Sequence, residues 1–110
     1  MRVLLAAALG AALLPVPVTA GTAPATTTVH IKDDAFVPKT LTVKPGATVT
    51  FVNDDDDAHT VTADDGSWDS EGLNQRQLWT RAFAKAGTVA YHCTVHPFMH
   101  GTIVVGSAAK

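Results

Sequence analysis

The chain holds one cysteine, Cys93, in 110 residues. A single thiol excludes an internal disulfide, a CxxC redox pair, a four-thiolate zinc site and a cysteine-ligated iron–sulfur cluster. Any chemistry at Cys93 must therefore come from other residue types gathered around it. Basic side chains are also scarce, 8 Lys and Arg against 10 Asp and Glu, and they form no cluster. Nothing is placed to displace phosphate counterions, which excludes nucleic acid as a partner. No internal repeat is visible, and no segment keeps a helical period beyond about ten residues. What is present is 46% hydrophobic residues at a net charge of only -2. That balance makes the chain one that buries a core, and its length bounds it to a single domain.

The first twenty residues stand apart. Met1-Arg2 opens an apolar run over 3–14, and Val18-Thr19-Ala20 ends it in a small-residue cleavage site, the pattern of a secretory signal peptide. The run is too short to span a bilayer, and Pro15 and Pro17 break any helical extension, so no membrane anchor is expected. No cysteine follows the site to carry a lipid, and no second arginine makes a twin-arginine signal. The expectation is export by the general secretory pathway to the periplasm with cleavage after Ala20. Residues 21–27 then form a flexible lead-in, 28–106 the domain and 107–110 a tail. A domain this small often needs a metal or a disulfide to hold it, and with one cysteine a metal is the available staple.

The body is read as all-β. Short β-branched stretches alternate between turn residues every eight to twelve positions or so, the spacing of an antiparallel sandwich or barrel. Strands are expected over 29–32, 40–43, 48–53 with Val49 and Phe51 inward, 59–63, 78–83, 88–93 and 102–105. Lys44-Pro45-Gly46 has proline and glycine where a type II turn requires them. Residues 67–76 show no period. Over 78–83, Trp79, Arg81 and Phe83 share one face and Leu78, Thr80 and Ala82 the other, and the buried side stays open.

Chemistry concentrates in one connection. Cys93-Thr94-Val95-His96-Pro97-Phe98-Met99 sets a thiol, an imidazole and a thioether at three-residue intervals. Strand alternation sends Val89, Tyr91 and Cys93 to one face and Ala90 and His92 to the other, so Cys93 points inward. His59 opens a strand just after the acidic run Asp54 to Asp57, where a neighbouring sheet end could bring it beside this loop. Two imidazoles and a thiolate in a plane, with a weak axial thioether, are the donor set of a blue-copper site. Zinc would prefer a carboxylate or water to Met99. Plainer readings stand beside these: Cys93 as packing, His59 as a solvated strand end, His30 as surface, Asp54 to Asp57 as a solvated loop. The acidic run has the alternatives of a docking patch for a basic partner or a weak cation site near His59. A second copper at His92 would need His-x-His partners, which the chain lacks.

Over residues 29–105 the chain resembles the cupredoxins. The Tyr91-His92-Cys93-Thr94-x-His96-Pro97-Phe98-Met99-x-Gly101 run is similar to that of the amicyanins, whereas plastocyanins and pseudoazurins keep a longer interval between the last histidine and the methionine. The resemblance implies a Greek-key sandwich binding one type 1 copper ion through His59, Cys93, His96 and Met99, with Asn53 fixing the ligand loops by hydrogen bonds. It also implies a monomeric electron carrier and no enzyme, since four protein ligands leave no open position. Redox partners of dehydrogenase or cytochrome type would dock transiently on Pro97 and Phe98 around His96. Ala58 and Val95 replace two prolines of the amicyanins, and the Val95 amide is expected to donate to the Cys93 sulfur. His100 replaces an arginine, changing the charge a partner meets. A copper chaperone or storage module would want several exposed methionines, yet Met99 is the only one outside the leader. A metal-free sandwich would make the Cys93 loop a coincidence.

Overall fold

The computed structural model describes residues 27–106. The expected leader, residues 21–26 of the lead-in and the tail at 107–110 lie outside that span. Eight strands follow one another in the described chain: β1 (Thr28–Lys32), β2 (Ala35–Val37), β3 (Thr40–Val43), β4 (Ala47–Asn53), β5 (Thr62–Ala63), β6 (Leu78–Phe83), β7 (Gly87–His92) and β8 (His100–Val105). They form two four-stranded sheets, ordered β2-β1-β4-β6 and β3-β8-β7-β5. No helix occurs among the described residues.

Alternation builds the space between the sheets. Val49, Phe51 and Asn53 of β4 are buried while the residues between them are not, and β8 repeats the pattern with Gly101, Ile103 and Val105. Of these, Val49, Phe51, Ile103 and Val105 meet Val29 and Ile31 of β1 and Tyr91 of β7 in one core. Each fully buried Val, Ile or Phe contributes roughly 1.5–3 kcal/mol over its exposed state. Tyr91 sits edge-on to two rings, with centroids 4.7 Å from Phe36 and 5.5 Å from Phe51, an arrangement the ring quadrupoles favour.

The buried side of β6 is now settled. Trp79, Arg81 and Phe83 face inward, with Trp79 stacked obliquely on Phe51 and Trp68. Arg81 is tolerated there because its guanidinium lies 5.0 Å over the Trp68 ring and 5.8 Å from Phe83, where the ring faces attract its charge. Gly46 takes φ 90°, and the Ala47 amide donates to the Lys44 carbonyl over 3.0 Å, so Pro45-Gly46 makes the expected type II turn.

Three expectations are corrected. The sheets are mixed and not purely antiparallel, because β1 runs parallel to β4 and β3 parallel to β8. Alternation reports which face a side chain takes and carries no information on the direction of a neighbour. The strand expected over 59–63 shrinks to Thr62–Ala63, since His59 instead bridges to Leu73 of the aperiodic segment, while Thr62 pairs with His92 and also bridges to Asp69. The three-residue β2 was not foreseen.

Candidate metal centre

Two connections at one end of the sandwich supply the donors. The first leaves β4 and runs through the aspartates to His59. The second joins β7 to β8 and carries Cys93, His96 and Met99. Cys93 continues the inward face of β7 one residue past its end and is fully buried, as is His59. The second loop is tight: the Met99 amide donates to the His96 carbonyl over 2.8 Å and the Cys93 amide to the Met99 carbonyl over 3.2 Å. Met99 joins the core cluster, while His96 stays half-buried.

The structure brings three of the four expected donors together. The Cys93 Sγ lies 3.7 Å from Nδ1 of His59 and 4.0 Å from Nδ1 of His96. One ligand atom from each of the three lies within 4.8 Å of the others, and the imidazole centroids are 4.7 Å apart. A buried thiol faced by two imidazole nitrogens, with the thioether residue closing the same loop, fits a copper ion of the blue type.

The sulfur accepts a hydrogen bond from the Thr60 amide at 3.3 Å. The expected donor, the Val95 amide, makes no such bond, for Val95 lies on the exposed outer turn of the loop. Thr60 also ties the two connections together, its hydroxyl accepting from the Thr94 amide at 2.9 Å. Neither threonine was identified from the sequence. Thr94 lies within the Cys93 run, but the role of the pair depends on two loops 34 residues apart meeting.

Asn53 holds the first loop. Its Nδ2 donates to the carbonyls of Asp57 and Leu73, each over 2.8 Å, and its Oδ1 accepts from the Asp55 amide. Asp54, Asp56 and Asp57 of the acidic run are exposed, as a solvated loop would be, and only Asp55 is partly buried. Asp54 pairs with His30 at 2.7 Å, and Asp56 accepts from Gln75. Asp55 turns in, accepting from the amides of Asp33 and Asp34 and lying 2.9 Å from Nε2 of His59. Burial pushes the Asp55 carboxyl up, but the Asp34 and Asp33 amides and His59 together outweigh it and hold it below 3.8. Asp34 and Asp57 bring further carboxylates near His96. Around that ring, Val95 is 54% and Phe98 68% exposed, and Pro97 is exposed between them.

Known proteins resemble both the sequence and the fold. A family model described as a cupredoxin-like domain matches residues 4–105. Amicyanin of Paracoccus versutus is 33% identical over 95 residues, covering 81% of this chain and 72% of that protein. Amicyanin of Paracoccus denitrificans is 37% identical over 70 residues, covering 59% of this chain and 53%, about half, of that protein. Among solved structures, an oxidised methionine-to-leucine variant of amicyanin superposes with a TM-score of 0.70 at 33% identity, over 79% of this chain and 88% of its own. A purple cupredoxin from Nitrosopumilus maritimus, at 24% identity and a TM-score of 0.67 over 73% of this chain and 99% of its own, shares the fold. With the family model spanning nearly the whole sequence and an amicyanin 33% identical over 81% of the chain, the chain belongs to the cupredoxins, in their amicyanin-like group.

Proposed function

We propose that this chain is an exported blue-copper electron carrier, in which His59, Cys93, His96 and Met99 hold one type 1 copper ion. It passes single electrons between redox proteins and catalyses no reaction of its own. The observation that carries the reading is the convergence of two imidazole Nδ1 atoms on the only thiol of the chain in a buried pocket. Copper held there by His59, Cys93, His96 and Met99 would supply a one-electron couple tuned by the thioether and by hydrogen bonding at the sulfur.

The protein's own part is to hold the donors still. Asn53, Thr60 and Asp55 fix the first loop, and the backbone bonds between Cys93, His96 and Met99 fix the second. The donors are set before any electron arrives, so little has to move when one does. The Thr60 amide withdraws electron density from the sulfur, which favours the reduced state. His96 is the donor nearest to solvent, and the exposed Val95, Pro97 and Phe98 make an apolar rim around it. Such a patch suits brief contact with a dehydrogenase- or cytochrome-type partner, because redox encounters bury small areas and must part quickly. The leader read over residues 1–20 directs the chain to the periplasm, where it works as a monomer.

The test is a spectrum. An oxidised, copper-loaded sample should show an intense blue thiolate-to-copper band that bleaches on reduction and returns on oxidation. The Cys93→Ala variant should lack it. Tight colourless Cu(I) binding without cycling would replace this reading with a chaperone or storage role, and failure to take up copper would leave a metal-free sandwich.

A further inference from the structure

The two-residue turn between β1 and β2 places aspartates at both left-handed positions. Lys32 pairs with Ala35, leaving the two-residue loop Asp33-Asp34. Both aspartates take left-handed backbones, φ 54° and 58°. That is the turn hairpins prefer for their twist, but Asn-Gly or Asp-Gly relieves the strain that a second residue with a side chain keeps. The conformation aims two successive amides at a single carboxylate. Asp33 donates to Oδ1 of Asp55 over 2.7 Å and Asp34 to Oδ2 over 3.0 Å. Successive amides arranged this way form a small anion-binding nest. Oδ2 then lies 2.9 Å from Nε2 of His59, on a side chain that is itself fully buried against 15% exposure for Asp55.

An ionised carboxylate can only accept. Nε2 of His59 therefore carries the proton of the neutral ring, and Nδ1, on the Cys93 side, keeps its lone pair. We propose that Asp55, seated on the two amides of the Asp33-Asp34 turn, is a positioning residue that fixes the tautomer and orientation of His59 and strengthens its Nδ1 as a donor. The inference rests on the copper reading above for its second half. A carboxylate behind a metal-bound imidazole raises its basicity, and a more basic donor favours the more highly charged ion. Asp55 thus biases the site toward Cu(II) and opposes the Thr60 amide, which favours Cu(I). The two contacts therefore move the reduction potential in opposite directions.

Asp56 supplies the control. It is the next residue on the same loop, equally charged but exposed and bonded only to Gln75. Three variants, Asp55→Ala, Asp55→Asn and Asp56→Ala, are compared with the unaltered protein. In the metal-free proteins, nitrogen-resolved NMR of the imidazoles should show a slowly exchanging Hε2 on His59 and an unprotonated Nδ1. Asp56→Ala should keep both signals and Asp55→Ala lose them. Asp55→Asn retains an acceptor for Nε2 without its charge, and covers the case in which the alanine variant does not fold. Loaded with copper, the Asp55 variants should bind Cu(II) about 10–100-fold more weakly and have a raised reduction potential, with a much smaller change in Asp56→Ala. A residue that only capped the turn would alter stability and leave tautomer and potential alone. An unchanged His59 signal in a folded Asp55→Ala, or Asp55→Asn potentials equal to those of Asp56→Ala, would overturn the proposal. If the unaltered protein bound no copper, the carrier reading would fall while the metal-free NMR comparison still decided the contact.

Discussion

Tyr91 buries its whole ring between Phe36 and Phe51, but among the described residues its hydroxyl has no hydrogen-bond partner. A buried hydroxyl left unpaired costs about 1–3 kcal/mol, and the ring alone provides the packing. Tyr91→Phe is therefore expected to stabilise the domain by about 1 kcal/mol, raising Tm by roughly 4–8 °C, as calorimetry would register. A fall in Tm would show that the hydroxyl has a partner after all. The same burial pushes the phenol well above its ordinary 10.0. Below that value the phenol is neutral folded and unfolded, so it adds no pH dependence. Above it the unfolded chain loses the proton first, and stability falls by about 1.4 kcal/mol per pH unit until the folded phenol also ionises. Urea midpoints measured above pH 10.0 should drop more steeply for the unaltered protein than for Tyr91→Phe.

Strands were legible where one face is plainly apolar. Val49 with Phe51, and Tyr91 with Cys93, lie on the buried faces that alternation assigns them. β6 was not legible, because Arg81 sits in the inward row and the Trp68 and Phe83 rings that accommodate it there are known only from the fold. Parallel pairing of β1 with β4 and of β3 with β8 joins segments far apart in sequence, and no local period records it. Within the candidate centre, the spaced Cys93, His96 and Met99 announce themselves, while Asp55, Thr60 and Thr94 act through contacts that exist only after two loops and a hairpin turn meet. Element packing sets one further requirement. Gly101 of β8 pairs with Tyr91 of β7, and a methyl group there would run into Cζ and Oη of the Tyr91 ring. Gly101→Ala should cost about 1–3 kcal/mol through overpacking, read as a lowered urea midpoint. Gly72→Ala, with nothing within 4 Å of the added methyl, should cost much less. Equal effects at the two positions would mean the ring simply moves aside.

At the scale of the whole molecule, the donors come from two loops that close the same end of the sandwich. One leaves β4 of the first sheet, and the other joins β7 to β8 of the second. A metal held by both loops links the sheets at that end and binds the folded chain in preference to the unfolded one. Ligand binding of that kind stabilises by RT ln(1 + [L]/Kd), about 2.7 kcal/mol at a hundredfold excess over Kd. Loading the metal-free protein with copper should accordingly raise Tm by roughly 10–20 °C, and the rise should shrink strongly in Cys93→Ala. The comparison matters because a second group of donors lies close by. Asp33, Asp34, Asp55, Asp56 and Asp57 line one shallow cleft, and hard carboxylate oxygens suit Mg²⁺, Ca²⁺ or Mn²⁺ better than Cu(I). If copper acts at Cys93, replacing that thiol removes most of the stabilisation and Cu(I) protects at least as well as the divalent ions do. If the rise in Tm survives Cys93→Ala and is matched by Ca²⁺ or Mn²⁺, the cation is held by the aspartates, and the stabilising link between the sheets lies outside the thiol site.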